Sequence, residues 1–172
     1  LLGKHSTDKV EHLKQQVDQL YQQGQYELAL PLARQVYDLA RRQLDKLHPG
    51  YAASLNNLGL LLLEKGDYAQ AESLLCEAGD IWEQTVGQNH LDYVYCLDNL
   101  ATLYIDTGDY VQAEELMGKV EIILRTVPIA AQDYATILNN HGMLYQEMGE
   151  NEQAERYYKQ ANDIRCKTLG EN

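Results

Sequence analysis

Four glycines set a period. Gly24, Gly66, Gly108 and Gly149 follow one another at intervals of 42, 42 and 41 residues, and five residues after each stands an alanine: Ala29, Ala71, Ala113 and Ala154. Seven residues before each come Val17, Gly59, Ala101 and Gly142, small in three of the four copies. A fixed period of this length marks a repeat architecture, in which each unit buries its apolar face only against its neighbours. Within a copy the apolar spacing is helical: Leu55, Leu58 and Leu62 precede the glycine, and Ala71, Leu74, Leu75, Ala78 and Ile81 follow it. Gly followed by Asp, Gln or Glu between two such runs reads as a helix C-terminus and tight turn. Each copy is therefore predicted to be a hairpin, helix A then helix B. The small residues Gly59, Ala101 and Gly142 would let helix A approach the Ala71-type position of helix B.

The copies share words as well as spacing. LNNLG at 55–59, LDNLA at 97–101 and LNNHG at 138–142 are followed by GDYAQA, GDYVQA and GENEQA, and the joints between copies read LDKLHPGYA at 44–52 and TVGQNHLDY at 85–93. In these residues the chain resembles a tetratricopeptide repeat array of the 42-residue, kinesin light chain-like type, over about residues 10–170. The resemblance implies an all-α fold, a right-handed α-α superhelix or solenoid of four hairpins. One repeat domain over 1–172 is expected, with repeats at about 8–48, 50–90, 92–131 and 133–172. It also implies a protein-protein interaction module. Fold does not fix function, because the same repeats serve scaffolds, chaperone adaptors and peptide sensors.

The ends differ from the middle. The first helix, DKVEHLKQQVDQLYQQ at 8–23, has one narrow stripe of Val10, Leu13, Val17 and Leu20, and Asp8 with Glu11 reads as a capping box at its start. TLGEN at 168–172 matches TVGQN at 85–89, where another repeat follows, so the chain is expected to be part of a longer protein, and its open last repeat offers a surface for self-association. The chain starts at Leu1, and its longest apolar run, Leu58–Leu63, is far short of the roughly 20 residues of a membrane span. Cys76, Cys96 and Cys166 are odd in number and have no CxxC spacing, which suggests reduced thiols and a cytoplasmic location.

A net charge of −12 argues against nucleic acid and against an anionic membrane surface as partner. Between Lys65 and Lys119 there is no basic residue, while Asp67, Glu72, Glu77, Asp80, Glu83, Asp92, Asp98, Asp106, Asp109, Glu114 and Glu115 fall in that window. A helical wheel places Leu55, Leu58 and Leu62 on the buried side of the second helix A. Ala53, Asn56, Asn57, Leu60, Leu63 and Glu64 fall on the other side, facing a concave groove. The equivalents are Tyr95, Asp98, Asn99, Thr102, Ile105 and Asp106, then Thr136, Asn139, Asn140, Met143, Gln146 and Glu147. Asn57, Asn99 and Asn140 recur in the middle of apolar helices, where Asn is a poor choice because its side chain competes for backbone hydrogen bonds. Two readings account for them. A carboxamide offers one acceptor and two donors, which suits the backbone of an extended peptide, and related repeat proteins use Asn in that way; otherwise each Asn ties its helix to the neighbouring repeat. The candidate peptide-binding residues are Asn56, Asn57, Leu60, Tyr95, Asp98, Asn99, Thr102, Asn139, Asn140 and Met143. Leu63 and Ile105 are expected to serve mainly in packing. His141 stands where the two preceding repeats have Leu58 and Leu100, so it is either a buried imidazole able to respond to pH or a partly exposed, inert one.

A carboxylate clamp of the chaperone-adaptor kind is not expected. Lys14 and Asn57 match it, but Asp18, Tyr95 and Asn99 stand where Asn, Lys and Arg are needed. His5, His12, His48, His90 and His141 show no metal-ligand pairing, and Ser6, Ser54 and Ser73 have no nucleophile-elbow context. His48 and His90 fall in the joints between repeats, where helix capping is their expected role. The chain is thus read as a non-catalytic module, without cofactor or metal, that takes an extended, neutral to basic peptide in its groove. The alternative is a regulatory repeat segment of a larger bacterial effector enzyme or signalling protein.

Overall fold

The computed structural model describes the backbone of residues 2–170 and the side chains of residues 10–168. The described residues form eight helices and no strand: α1 (Leu2–Gln22), α2 (Tyr26–Gln43), α3 (Pro49–Glu64), α4 (Tyr68–Thr85), α5 (Leu91–Thr107), α6 (Tyr110–Leu124), α7 (Ala131–Glu147) and α8 (Asn151–Gly170). They pair as four antiparallel hairpins, which fall into two compact units, 1–87 and 88–172. The first unit holds α1 to α4, the second α5 to α8.

The Gly-Asp turn is written in the chain. Gly66 has φ +79°, its N–H donates to the Leu63 carbonyl at 2.8 Å, and the Asp67 N–H donates to the Leu62 carbonyl at 2.9 Å. This is a left-handed glycine closing helix A with a five-residue return bond. Asp67 then opens helix B, its carboxylate accepting from the Gln70 N–H. Gly108 and Asp109 repeat both halves of the motif. His48 and His90 cap α3 and α5: each Nδ1 accepts a backbone N–H, from Gly50 at 2.9 Å and Asp92 at 3.2 Å. Capping is thus what the joint histidines do, and accepting at Nδ1 leaves the ring proton on Nε2.

In the first unit Leu55, Leu62 and Leu75 are at most 1% exposed between α3 and α4. A Cβ added to Gly59 would lie 2.9 Å from the Leu75 side chain and 3.4 Å from the Ala71 carbonyl, so the small residue does set how closely α3 and α4 approach. In the second unit Ala101, Ile105, Ala113, Met117 and Leu144 form one cluster, and Ala135, Leu138 and Ala161 a second. At Gly142 the space is taken by the ring of Tyr158, 2.6 Å from an added Cβ.

One expectation about the ends is corrected. The first helix does not start at Asp8: α1 begins at Leu2, because no proline between them stops a helix from propagating backward. The side chain of Asp8, with those of His5 and Ser6, lies outside the described residues. At the other end α8 runs through Thr168 to Gly170, and the last two residues of TLGEN lie outside the described chain.

Candidate partner-binding face

The candidate residues sit on three A helices. Asn56, Asn57 and Leu60 lie on α3 of the first unit; Tyr95, Asp98, Asn99 and Thr102 on α5, and Asn139, Asn140 and Met143 on α7, share the second. Eight of these ten are half-buried. Asn56 and Asp98 are buried, at 9% and 7% exposure, as are Leu63 and Ile105. The wheel placed all four on an open side. Its error is physical: α3 packs on both α2 and α4, and α5 on both α6 and α7, so the buried arc of a helix A is wider than the single stripe of a surface helix. Leu63 and Ile105 are packing residues, as expected of them.

Two cross-links tie α5 to α7. The Tyr95 hydroxyl donates to Asp133 Oδ2 at 2.8 Å, and the Asn140 amide donates to Asp98 Oδ2 at 2.9 Å. Asn140 therefore acts between neighbouring repeats, the second role open to it in the sequence; Asn99 also has a partner within the structure. Burial pushes the Asp98 carboxyl up to about 6, and the Asn140 amide only partly offsets this by favouring the ionised form. Its other oxygen, Oδ1, is buried without a hydrogen-bond partner. Burial, then the bond to Asp133, pushes the Tyr95 hydroxyl up to about 12. Asp106 is raised as well, first by burial and then by the charge of Glu147 from the next helix A. No Lys or Arg occurs in α5 or α7.

His141 points the other way along α7, toward α6 and α8. It is 2% exposed, its Nδ1 lies 3.1 Å from Glu121 Oε1, and the Tyr157 hydroxyl donates to the same oxygen at 2.7 Å. The Tyr157 ring meets the imidazole edge-on, with centroids 5.2 Å apart. The expectation of a partly exposed histidine falls; the site is buried. A carboxylate only accepts, so Nδ1 carries the proton and Nε2 is an acceptor, buried and unpartnered. Burial lowers the imidazole pKa, with Glu121 pulling the other way. Sequence reading found His141 but not its partners. Glu121 and Tyr157 come from other helices, 20 residues before it and 36 residues from one another, and only the packing brings them together.

Among the described residues no group of three or more His, Cys, Asp and Glu is placed to hold a metal ion, and no helix is long and apolar enough to cross a membrane. The face on α5 and α7 thus offers amides, carboxylates and apolar side chains on an all-α repeat scaffold, the construction of a repeat-type interaction module.

Comparison with known proteins names the family. Tetratricopeptide repeat models match residues 12–80, and residues 94–123 and 135–172. The chain belongs to the tetratricopeptide repeat family, whose members are in general protein-protein interaction modules. The fold of its array is similar to that of kinesin light chain-like repeat structures. The chain is similar to the crystal structure of BtubC (BKLC) from P. vanneervenii, with a TM-score of 0.77 and 18% identity over 94% of this chain. It spans 65% of the length of that protein. Crystal structures of a Podosopora anserina protein of nearly identical TPR-like repeats, described as a kinesin light chain, and of a singly substituted form of it match with TM-scores of 0.66 and 0.65. Both are 20% identical, and the matches cover 93% and 94% of this chain and 96% of each of those chains. No curated protein matches the chain by sequence.

Proposed function

We propose that the chain is a non-catalytic module that takes an extended segment of a partner protein against its A helices, and that the segment is neutral or basic. One observation carries this reading: α5 and α7, held side by side by the Tyr95–Asp133 and Asn140–Asp98 bonds, present Asn99, Thr102, Asn139 and Met143 half-buried, on helices that carry Asp98, Asp106 and Glu147 and no Lys or Arg. Half-buried amides supply donors and acceptors to a peptide backbone, Met143 supplies an adaptable apolar contact, and the carboxylates penalise an acidic ligand by repulsion and desolvation. In the first unit, taken by itself, α3 has half-buried Asn57 and Leu60, while Asn56 is buried. A partner that adds backbone hydrogen bonds this way gains affinity without strict sequence choice. Cys76, Cys96 and Cys166 are in no disulfide among the described residues, which agrees with work in the cytoplasm. A peptide-array screen tests the charge preference: neutral and Lys/Arg-containing peptides should dominate, and a set of binders rich in Asp and Glu would overturn it.

A further inference from the structure

The second unit has another concave surface, on the side of α7 away from Asn99 and Asn140. A cleft of ≈ 390 Å³ lies among α6, α7 and α8. Its volume falls within the range of sites that enclose a few side chains or a small ligand, about 300–1,000 Å³. Ile137 and Leu138, both nearly fully buried, and half-buried Leu124 make its apolar floor. Arg125, at the end of α6, and Arg156, in the second turn of α8, stand exposed at its rim.

The net charge is −12, yet neither arginine forms an ion pair among the described residues. Glu121, the one acid lining the cleft, forms no ion pair with either arginine; its Oε1 accepts from both Tyr157 and His141. The wall further includes His141, with a buried nitrogen that has no partner. Two guanidiniums without ion-pair partners over an aliphatic floor are complementary to a carboxylate carried next to an apolar group.

We propose that this cleft binds a segment of a partner protein that sets an acidic side chain beside a large aliphatic one. The site is separate from the α5–α7 face and opposite to it in charge preference. The module would therefore sort segments by charge, taking neutral or basic ones on one side of α7 and acidic ones on the other. Two segments of one partner, held at once, would gain from effective concentration what each lacks in affinity.

The probe is a capped six-residue peptide of glutamate and leucine, with a twin in which every glutamate is glutamine, titrated into the isotope-labelled chain and followed by amide chemical shifts. Binding of the acidic peptide should move amides at the end of α6, in the first half of α7 and in the first turns of α8. The twin should bind at least about tenfold more weakly, and Arg125→Gln and Arg156→Gln should each weaken the acidic peptide about fivefold, as expected for exposed charge-assisted pairs. Both arginines are exposed, and unchanged far-UV circular dichroism confirms that the variants fold. Equal binding of the two peptides, shifts confined to α5 and the Asn140 side of α7, or full affinity in the double variant would each overturn the proposal. A dimer seen by sedimentation and lost in Arg125→Gln would give the cleft to a second copy of the chain, and overturns it too.

Discussion

Asp98→Asn is expected to stabilise the fold at neutral pH and to do so less in acid. The carboxyl is 7% exposed, one oxygen accepts from Asn140 and the other has no partner. Its pKa in the fold is about 6, against an ordinary value of 3.8. A raised folded pKa means that the folded chain holds its proton more tightly than the unfolded chain does. The stability Asp98 provides is therefore full below the unfolded value and is lost as pH rises through about 6. A rise from 3.8 to about 6 corresponds to about 3 kcal/mol of penalty at about pH 7.5, of which about 1 kcal/mol remains at about pH 4.5. An asparagine keeps the shape and still accepts from Asn140, but it places an amide donor where no acceptor stands, at a cost of about 1–3 kcal/mol. That cost does not depend on pH. The net gain at pH 7.5 is thus up to about 2 kcal/mol, and the difference between variant and parent should shift by about 2 kcal/mol in favour of the variant between pH 4.5 and 7.5. Urea unfolding at both pH values, followed by circular dichroism at the helix band, measures it directly. All other titrating groups are common to both proteins and cancel in the comparison. A difference that is the same at the two pH values would refute the reasoning, whatever its sign.

Three further outcomes are expected. Asn99→Ala should weaken binding of a neutral or basic peptide by about 1–3 kcal/mol while leaving most of the stability intact; a collapse of the melting temperature with normal binding by the folded remainder would make Asn99 structural. His141→Leu should raise stability, more at pH 5.5 than at 7.5. Burial has lowered the imidazole pKa from 6.5, so the unfolded chain takes up its proton first on acidification, and the groups facing the ring, Glu121 from α6 and Tyr157 from α8, are left in place by the substitution. A gain equal at both pH values would show that the ring does not titrate differently in the fold. Gly→Ala should change sign with position. At Gly118 on α6 nothing lies within 4 Å of the added carbon, and the helix should gain about 0.5–1 kcal/mol; at Gly142 the Tyr158 ring is 2.6 Å away, and overpacking of about 1–3 kcal/mol should outweigh the gain in helix propensity. Melting curves of the two variants decide it.

The hairpins were legible because their code is local. A glycine that must be left-handed, an aspartate that caps the next helix and a histidine that caps the one after the joint each act within three residues of their own position. The period then multiplied one local reading by four. What a wheel on one helix could not show was which polar residues are buried, because that depends on two neighbours at once. Asn56 and Asp98 lie on the side away from Leu55 and Leu97, the side a surface helix would leave to solvent. The partners were hidden for the same reason: Asp133, Glu121 and Tyr157 reach Tyr95 and His141 across 38, 20 and 16 residues.

Both orphaned side chains of the second unit are departures from the chain's own repeat. Asp98 stands where the neighbouring repeats have Asn56 and Asn139, and His141 where they have Leu58 and Leu100. Each leaves a buried polar atom without a partner, and each is expected to give a more stable protein when returned to the residue of the other repeats. A repeat that departs from its own pattern at a cost in stability does so where local consistency has yielded to another demand, and such places are where function is to be sought. The two departures face opposite sides of the second unit. Asp98 lies under the α5–α7 face, among the amides proposed to hold a neutral or basic segment. His141 lies in the wall of the α6–α7–α8 cleft, beneath two arginines free to hold an acidic one. If the stabilised variants Asp98→Asn and His141→Leu each lose binding on their own side only, the costs and the two sites have a common origin.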